Sequence, residues 1–365
     1  MYALLGATFL VALLICADSI PWIIRIARRR NFLDQPGSHK IHTTPIPYGG
    51  GIGVALGMIL TLGAGIGAAS LQNQRGWFDH LEFAFHAEGV LSQIPILFVY
   101  ASGSLLMLLL GLWDDRKPLS PKTKLLWQTL IAVATVLLGE RLSLFWEGSP
   151  AGEYLGIGIT VLWIIGITNA FNMLDHMDGL ASGIGLLVSL SFGLVAIQTG
   201  QLFLAGALAA LAGSCAGILF FNFSPAKIFL GDAGSYFIGY WLSVLTISFT
   251  FYESGNPLYS YAVPFVVLAV PLFDIIRVVF IRIRHGRPIF RGDQNHFAHR
   301  LIELGMSPRK AVLTIHALTA VTGLAAILLY QVNEVGAAIV LSQLLLVFAI
   351  ITLLEITGRR HGRSN

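Results

Sequence analysis

Apolar residues run along this chain in long, nearly unbroken stretches rather than at the two-residue period of half-buried strands. Eleven such stretches are centred near residues 13, 60, 104, 132, 163, 190, 211, 243, 270, 320 and 346. Crossing the hydrocarbon layer as a helix takes about 20 apolar residues. The pattern therefore predicts an all-α, polytopic membrane protein with about 11 transmembrane helices. The first stretch reads as a retained span rather than a signal peptide. Met1-Tyr2 supplies no basic lead, and no small-residue cleavage site precedes Arg25, Arg28, Arg29 and Arg30. The longest polar interval, Arg282 to Lys310, is too short for a soluble domain, so residues 1–365 read as a single integral-membrane domain.

Composition strengthens that reading. Hydrophobic residues make up 55% of the chain, charged residues only 12%, and the mean hydropathy is +0.75. A soluble fold of 365 residues cannot hide so much apolar surface. The two cysteines, Cys16 and Cys215, lie inside apolar stretches and form neither a disulfide framework nor a zinc pattern. No internal repeat is visible.

Charge changes the picture by its placement. If the intervals alternate sides, 21 of the 23 Lys and Arg fall on one side, and only Arg75 and Arg141 on the other. The positive-inside rule makes the rich side cytoplasmic, with the N-terminus outside and the C-terminus inside. The carboxylates divide differently. The cytoplasmic side holds Asp34, Asp114, Asp115, Asp175, Asp178, Asp232 and Asp293 with Glu303. The outer side holds Glu82, Glu88, Glu140, Glu147, Glu153, Glu253 and Glu334 with Asp79. Aspartate suits turns and helix caps, but short carboxylates gathered on one face also suit a hard cation and acid/base work.

The chemistry-bearing loops are those near 25–48, 114–124, 172–180, 222–234 and 283–310. The first carries Lys40 and His42 ahead of Gly49-Gly50-Gly51, where a helix start could attract phosphate or a glycine run could serve close packing. The second opens with Asp114-Asp115, adjacent carboxylates that repel unless a cation such as Lys117, Lys122 or Lys124 joins them. The third gathers Asn169, Asn172, Asp175, His176 and Asp178 within ten residues between two apolar stretches. Polar groups there are costly, about 2.5–3.5 kcal/mol for one central Asp on insertion scales, which points to function. In the fourth, Asn222 and Phe229 lead into Gly231-Asp232-Ala233-Gly234-Ser235, one carboxylate among small neighbours. Asp232 with Asn172 or Asp175 fits Mg²⁺, which takes one or two protein oxygens plus waters and phosphates. In the last loop His296 and His299 share a helix face beside Arg300. No third soft ligand stands near them, which favours diphosphate or sugar recognition over zinc.

Taken together and in order, these segments resemble the polyprenyl-phosphate N-acetylhexosamine-1-phosphate transferases. The resemblance rests on Asp114-Asp115, on Asn169-x-x-Asn172-x-x-Asp175-x-x-Asp178-Gly179, on Phe229-x-Gly231-Asp232 and on the His296 segment. It extends from about residue 32 to 310 and is closest to the branch that loads GlcNAc 1-phosphate. Two positions depart from the family pattern: His176 stands where glycine is usual, and Ala298 replaces the second histidine of the last-loop run.

The resemblance implies transfer of N-acetylhexosamine 1-phosphate from a UDP-sugar to undecaprenyl phosphate in a bacterial inner membrane. It implies Mg²⁺ as cofactor, with Mn²⁺ as a substitute, and an active site on the cytoplasmic face. Asp232 and Asn172 would hold the metal, and Asp114 and Asp115 would handle the lipid phosphate. Asn169, Asp175, Asp178, Asn222 and Phe229 would serve the nucleotide. His296, His299 and Arg300 would meet the diphosphate and sugar, with Lys40, His42 and Lys124 as further substrate ligands. The expected partners are the two substrates and membrane lipid, with no nucleic acid; a homodimer is left open. The alternatives are the muramoyl-pentapeptide branch of the same family and a cation-coupled transporter or lipid flippase. A transporter would place its ionisable groups near the midplane, often on repeats. Here Asp18, Asp274 and Glu355 are the carboxylates inside apolar stretches, and Asp274 with Arg277 reads as a neutralising pair.

Overall fold

In the computed structural model, residues 1–36, 44–79, 82–139, 141–142, 149–249, 258–286 and 296–361 are described. They contain fourteen α-helices. These are α1 (Tyr2–Arg29), α2 (Gly50–Arg75), α3 (Ala87–Ser92), α4 (Ile94–Arg116), α5 (Pro121–Leu138), α6 (Pro150–Leu174) and α7 (Leu180–Gln198). There follow α8 (Leu202–Asn222), α9 (Gly231–Ser248), α10 (Val263–Val267), α11 (Ala269–Arg284), α12 (Phe297–Glu303), α13 (Pro308–Leu328) and α14 (Glu334–His361). The described strands, β1 (Leu33–Asp34) and β2 (Ile46–Pro47), form a two-residue antiparallel ladder.

A helix covers each of the eleven apolar centres, but not all of these helices resemble spans. Eight are long and apolar enough to cross a membrane, or nine if the segment around α10 and α11, bent by 74°, counts as one. The other two are α5 and α9, each 18 residues long. The reason is clearest in α9, where every residue from Ala233 to Ile247 is buried. Its solvent is protein rather than lipid, so it can carry Ser235, Tyr236, Tyr240, Ser243 and Thr246 inside the bundle.

The chain forms two compact units, Met1–Phe249 and Thr250–Asn365. In the first, α9 is the central post, packed against α4, α6, α2, α7 and α8, while α1 leans on α8 and α2. Small residues bring the backbones together where side chains would hold them apart. A Cβ on Gly111 of α4 would lie 2.4 Å from the Ala233 backbone, and one on Gly51 of α2 would lie 2.3 Å from the Gly234 nitrogen. Two helices thus pinch the first turn of α9. Gly111→Val should leave no room for that turn, and a sharp loss of monodisperse protein after detergent extraction is expected.

In the second unit α13 packs on α10, α11 and α12. Phe273 of α11 stacks near Phe348 of α14 at 4.8 Å between centroids and meets Phe297 of α12 edge-on at 6.3 Å.

Candidate active site

The end of α4, the start of α5, the end of α6 and the start of α9 bring their polar residues to one place. Asp232 lies in the first turn of α9. Its Oδ1 accepts from the Asn172 amide at 2.7 Å, and its Oδ2 accepts from the Lys124 ammonium at 3.2 Å. The Asn172 amide also donates to Ser235 Oγ at 3.1 Å. Lys124 is at the same time ion-paired with Asp114, so one cation bridges two of the carboxylates.

The adjacent aspartates of α4 have different partners. Asp114, 5% exposed, accepts from the Leu119 backbone N–H at 2.8 Å and holds Lys124. Asp115 reaches across to α9, where its two oxygens accept from the N–H groups of Asp232 at 2.8 Å and Ala233 at 3.2 Å. It thereby satisfies donors that a helix start leaves orphaned. Gly231, at φ +75°, passes beneath this carboxylate, and a Cβ there would sit 2.5 Å from Asp115 Oδ2. Glycine meets both demands.

Asp175 follows the last residue of α6 as its C-cap. Withdrawal from water, and then the charges of Asp232 and Asp115, push its carboxyl well above the ordinary range. The cluster thus gathers Asp114, Asp115, Asp175 and Asp232, two of which, Asp114 and Asp232, share the ammonium of Lys124. Hard oxygen donors of this kind suit the chemistry of a divalent cation, which Asp232 and Asn172 could hold.

The other expected site residues divide into supports and rim. Asn169 sits one turn below Asn172 and donates to Gln128 Oε1 at 2.8 Å, tying α6 to α5. Asn222, 2% exposed, accepts from Gly179 N–H at 3.1 Å and Ser182 Oγ at 3.0 Å, and donates to the Ile228 carbonyl at 3.0 Å. Asp178 accepts from the Ala226 N–H at 3.0 Å. Asn222 and Asp178 therefore brace the 222–230 loop against the start of α7. Phe229 is half-buried, and its ring lies 6.0 Å from that of Tyr48. Its N–H donates to Pro47 O at 2.8 Å, and Tyr48 donates to Asp34 at 2.9 Å. Lys40 and His42 lie outside the described residues.

His296, His299 and Arg300 belong to the second unit. His296 precedes α12 and its ring stands 6.4 Å from that of His299. Burial and then the nearby His296 pull the His299 imidazole below its usual range. Arg300 pairs with Glu303. Asp274, read from sequence as a partner of Arg277, uses both oxygens at the start of α12, on His296 Nδ1 and the Phe297 N–H.

From the sequence alone, Ser235 and Tyr48 stand inside the chemistry-bearing loops without a role, and Gln128 and Tyr236, whose hydroxyl donates to Asp114 at 3.5 Å, stand outside them. Ser235 and Tyr236 stand three and four residues after Asp232, a helical spacing that could have flagged them. Nothing in the sequence links Gln128 to the site.

The family pattern described as glycosyl transferase family 4 matches residues 97–250, which include Asp114, Asp115, Lys124, Asn172, Asp175 and Asp232. The chain is 31% identical to a probable undecaprenyl-phosphate N-acetylglucosaminyl 1-phosphate transferase of Bacillus subtilis, over 98% of this chain and 92% of that protein. It is 30% identical to a decaprenyl-phosphate N-acetylglucosaminephosphotransferase of Mycobacterium tuberculosis, over 92% and 84% of the two chains. It is 25% identical to the undecaprenyl-phosphate alpha-N-acetylglucosaminyl 1-phosphate transferase of Escherichia coli K12, over 80% and 74%.

Proposed function

The chain belongs to glycosyl transferase family 4, and on that footing we propose that it is a phospho-sugar transferase that moves N-acetylglucosamine 1-phosphate from UDP-N-acetylglucosamine to undecaprenyl phosphate. The names of its relatives favour this over a muramoyl-pentapeptide transferase, a transporter or a flippase. The observation that carries the chemistry is the partly buried knot of Asp114, Lys124, Asn172 and Asp232, where oxygen donors exceed cations.

An oxygen of the acceptor phosphate attacks the β-phosphorus of the donor. A new P–O bond forms, the bond to the bridging oxygen breaks, and UMP leaves with its electron pair. Asp232 and Asn172 would hold Mg²⁺, which would supply positive charge to offset that of the diphosphate and the departing UMP. Lys124 supplies a cation that Asp114 and Asp232 hold in place, suited to a phosphate oxygen during in-line transfer. Asp115 fixes the backbone from which Asp232 projects. Asp114 and Asp115 act by positioning and electrostatics, because the acceptor phosphate is already largely ionised near pH 7 and has little proton to lose. Asp175, Asp178 and Phe229 serve the nucleotide side, with Asn169 and Asn222 supporting them. His296, His299 and Arg300, together with Lys40 and His42, serve the diphosphate and sugar.

The decisive assay combines purified protein, undecaprenyl phosphate, Mg²⁺ and a panel of UDP-sugars, scored for UMP release. UMP should appear with UDP-N-acetylglucosamine; its absence across the panel would refute the assignment. Arg300 can grip two phosphate oxygens at once, so Arg300→Ala and His296→Ala should each weaken use of the UDP-sugar severely. Ala298→His should shift KM or sugar preference only modestly.

The active face is proposed to be cytoplasmic, in the inner membrane of a bacterium, on the strength of the 21 Lys and Arg gathered on one side. Single cysteines at Ser120, Ser224 or Ser307 should then react with an impermeant thiol reagent only after the cytoplasmic side is opened. One at Ser149 should react from outside. Labelling of Ser224→Cys in intact cells would reverse the orientation.

A further inference from the structure

The second unit contains a buried carboxylate with no part in the transfer scheme above. Asp274 lies on α11, 2% exposed, and its two oxygens have different partners. Oδ2 stands 2.8 Å from Nδ1 of His296, itself only 6% exposed, and Oδ1 accepts from the Phe297 N–H at 2.8 Å. One side chain therefore clasps both the ring and the backbone at the start of α12, 22 residues further along the chain.

We propose that Asp274 is a positioning residue for the donor site: it fixes which nitrogen of His296 is turned toward the UDP-sugar and sets where α12 begins. An ionised carboxylate only accepts hydrogen bonds, so the Nδ1 that faces it carries the proton. Nε2, across the ring, is then turned away from Asp274 and is the nitrogen offered to the donor. Partner groups of this kind set the tautomer of functional histidines. The bond to Phe297 adds a second constraint. It fixes the first turn of α12, on which His299 and Arg300 follow at the next helical positions. Losing Asp274 would leave His296 present but misdirected, the situation created when the aspartate of a Ser-His-Asp triad becomes asparagine.

The proposal rests on the reading of His296 as a donor ligand, and the experiment separates the two. In the full-length, membrane-embedded enzyme, KM for UDP-N-acetylglucosamine and kcat are measured for wild type, Asp274→Asn, His296→Ala and the double variant. Asp274→Asn should raise KM about 10- to 100-fold, the scale seen when the hydrogen-bond partner of a metal-ligating histidine is lost, with kcat changed only a few-fold. Added to His296→Ala, it should change KM little further, because its effect runs through the imidazole. Asp274→Glu keeps both acceptors and should restore part of the loss. If Asp274→Asn does not fold, the same cycle is run with Asp274→Glu. A wild-type KM in the Asp274 variant beside a raised KM in His296→Ala overturns the inference alone. An undiminished effect of the Asp274 change on top of His296→Ala would also overturn it, by making Asp274 a fold support. A wild-type KM in His296→Ala overturns the donor-ligand reading and the inference with it.

Discussion

Asp232→Ala should lower the rate of transfer by about 10²–10³-fold or more, the scale of losing a principal electrostatic stabiliser, while the protein still inserts and purifies normally. Asp232 accepts from Asn172 on α6 and from Lys124 on α5, so its removal takes the carboxylate that joins three helices at the proposed metal. The fold should survive, because α9 is held by Asp115 at its first turn and by apolar burial along the rest of its length. Chelation of the wild-type enzyme should abolish UMP release, and added Mg²⁺ or Mn²⁺ should restore it. Asp232→Ala should not be rescued by either ion at concentrations that saturate wild type. A near-normal rate in the variant would remove Asp232 from the metal site.

Much of this arrangement is legible in the sequence because it depends on local spacing. Apolar stretches locate helices whatever surrounds them, and a helix stands at each of the eleven centres. Eight of these helices, or nine with the bent pair, are long and apolar enough to cross a membrane. Hydropathy cannot tell a helix facing lipid from one enclosed by other helices, and α9, buried from Ala233 to Ile247, is the enclosed kind. The same limit applies within the site. Asn172 and Asp175 are one helical turn apart and both reach the cluster. Asn169, a turn deeper, meets Gln128 on α5, a pairing that no local pattern encodes. Asn222 lies beside the expected motif, yet three hydrogen bonds commit it to bracing loops. Asp274 is the plainest case. Local spacing offers the nearest cation as its partner, and the fold adds a ring and a backbone N–H over twenty residues away.

Asp115→Asn should reduce the rate by about 10²-fold and leave the shape of the acid limb of the pH profile intact. Neighbouring residues on a helix do not face the same way, so Asp114 and Asp115 cannot act as an equivalent pair. Asp114 turns to Lys124 and the Leu119 N–H, and Asp115 turns to the start of α9. Asparagine at 115 keeps one acceptor but presents an amide NH₂ to a backbone N–H, so one of the two bonds to Asp232 and Ala233 must be lost. The backbone carrying Asp232 would shift, and misplacement of that carboxylate, not loss of a proton acceptor, would slow the reaction. The acid limb should then still follow the second ionisation of the acceptor phosphate, as in wild type. Rate measurements from pH 5 to 9 with Asp114→Asn and Asp115→Asn side by side make the distinction. A flattened acid limb in either variant would identify that aspartate as a base; parallel limbs at lower height, together with weakened binding of Mg²⁺ in Asp115→Asn, would make it the anchor of the metal-bearing turn.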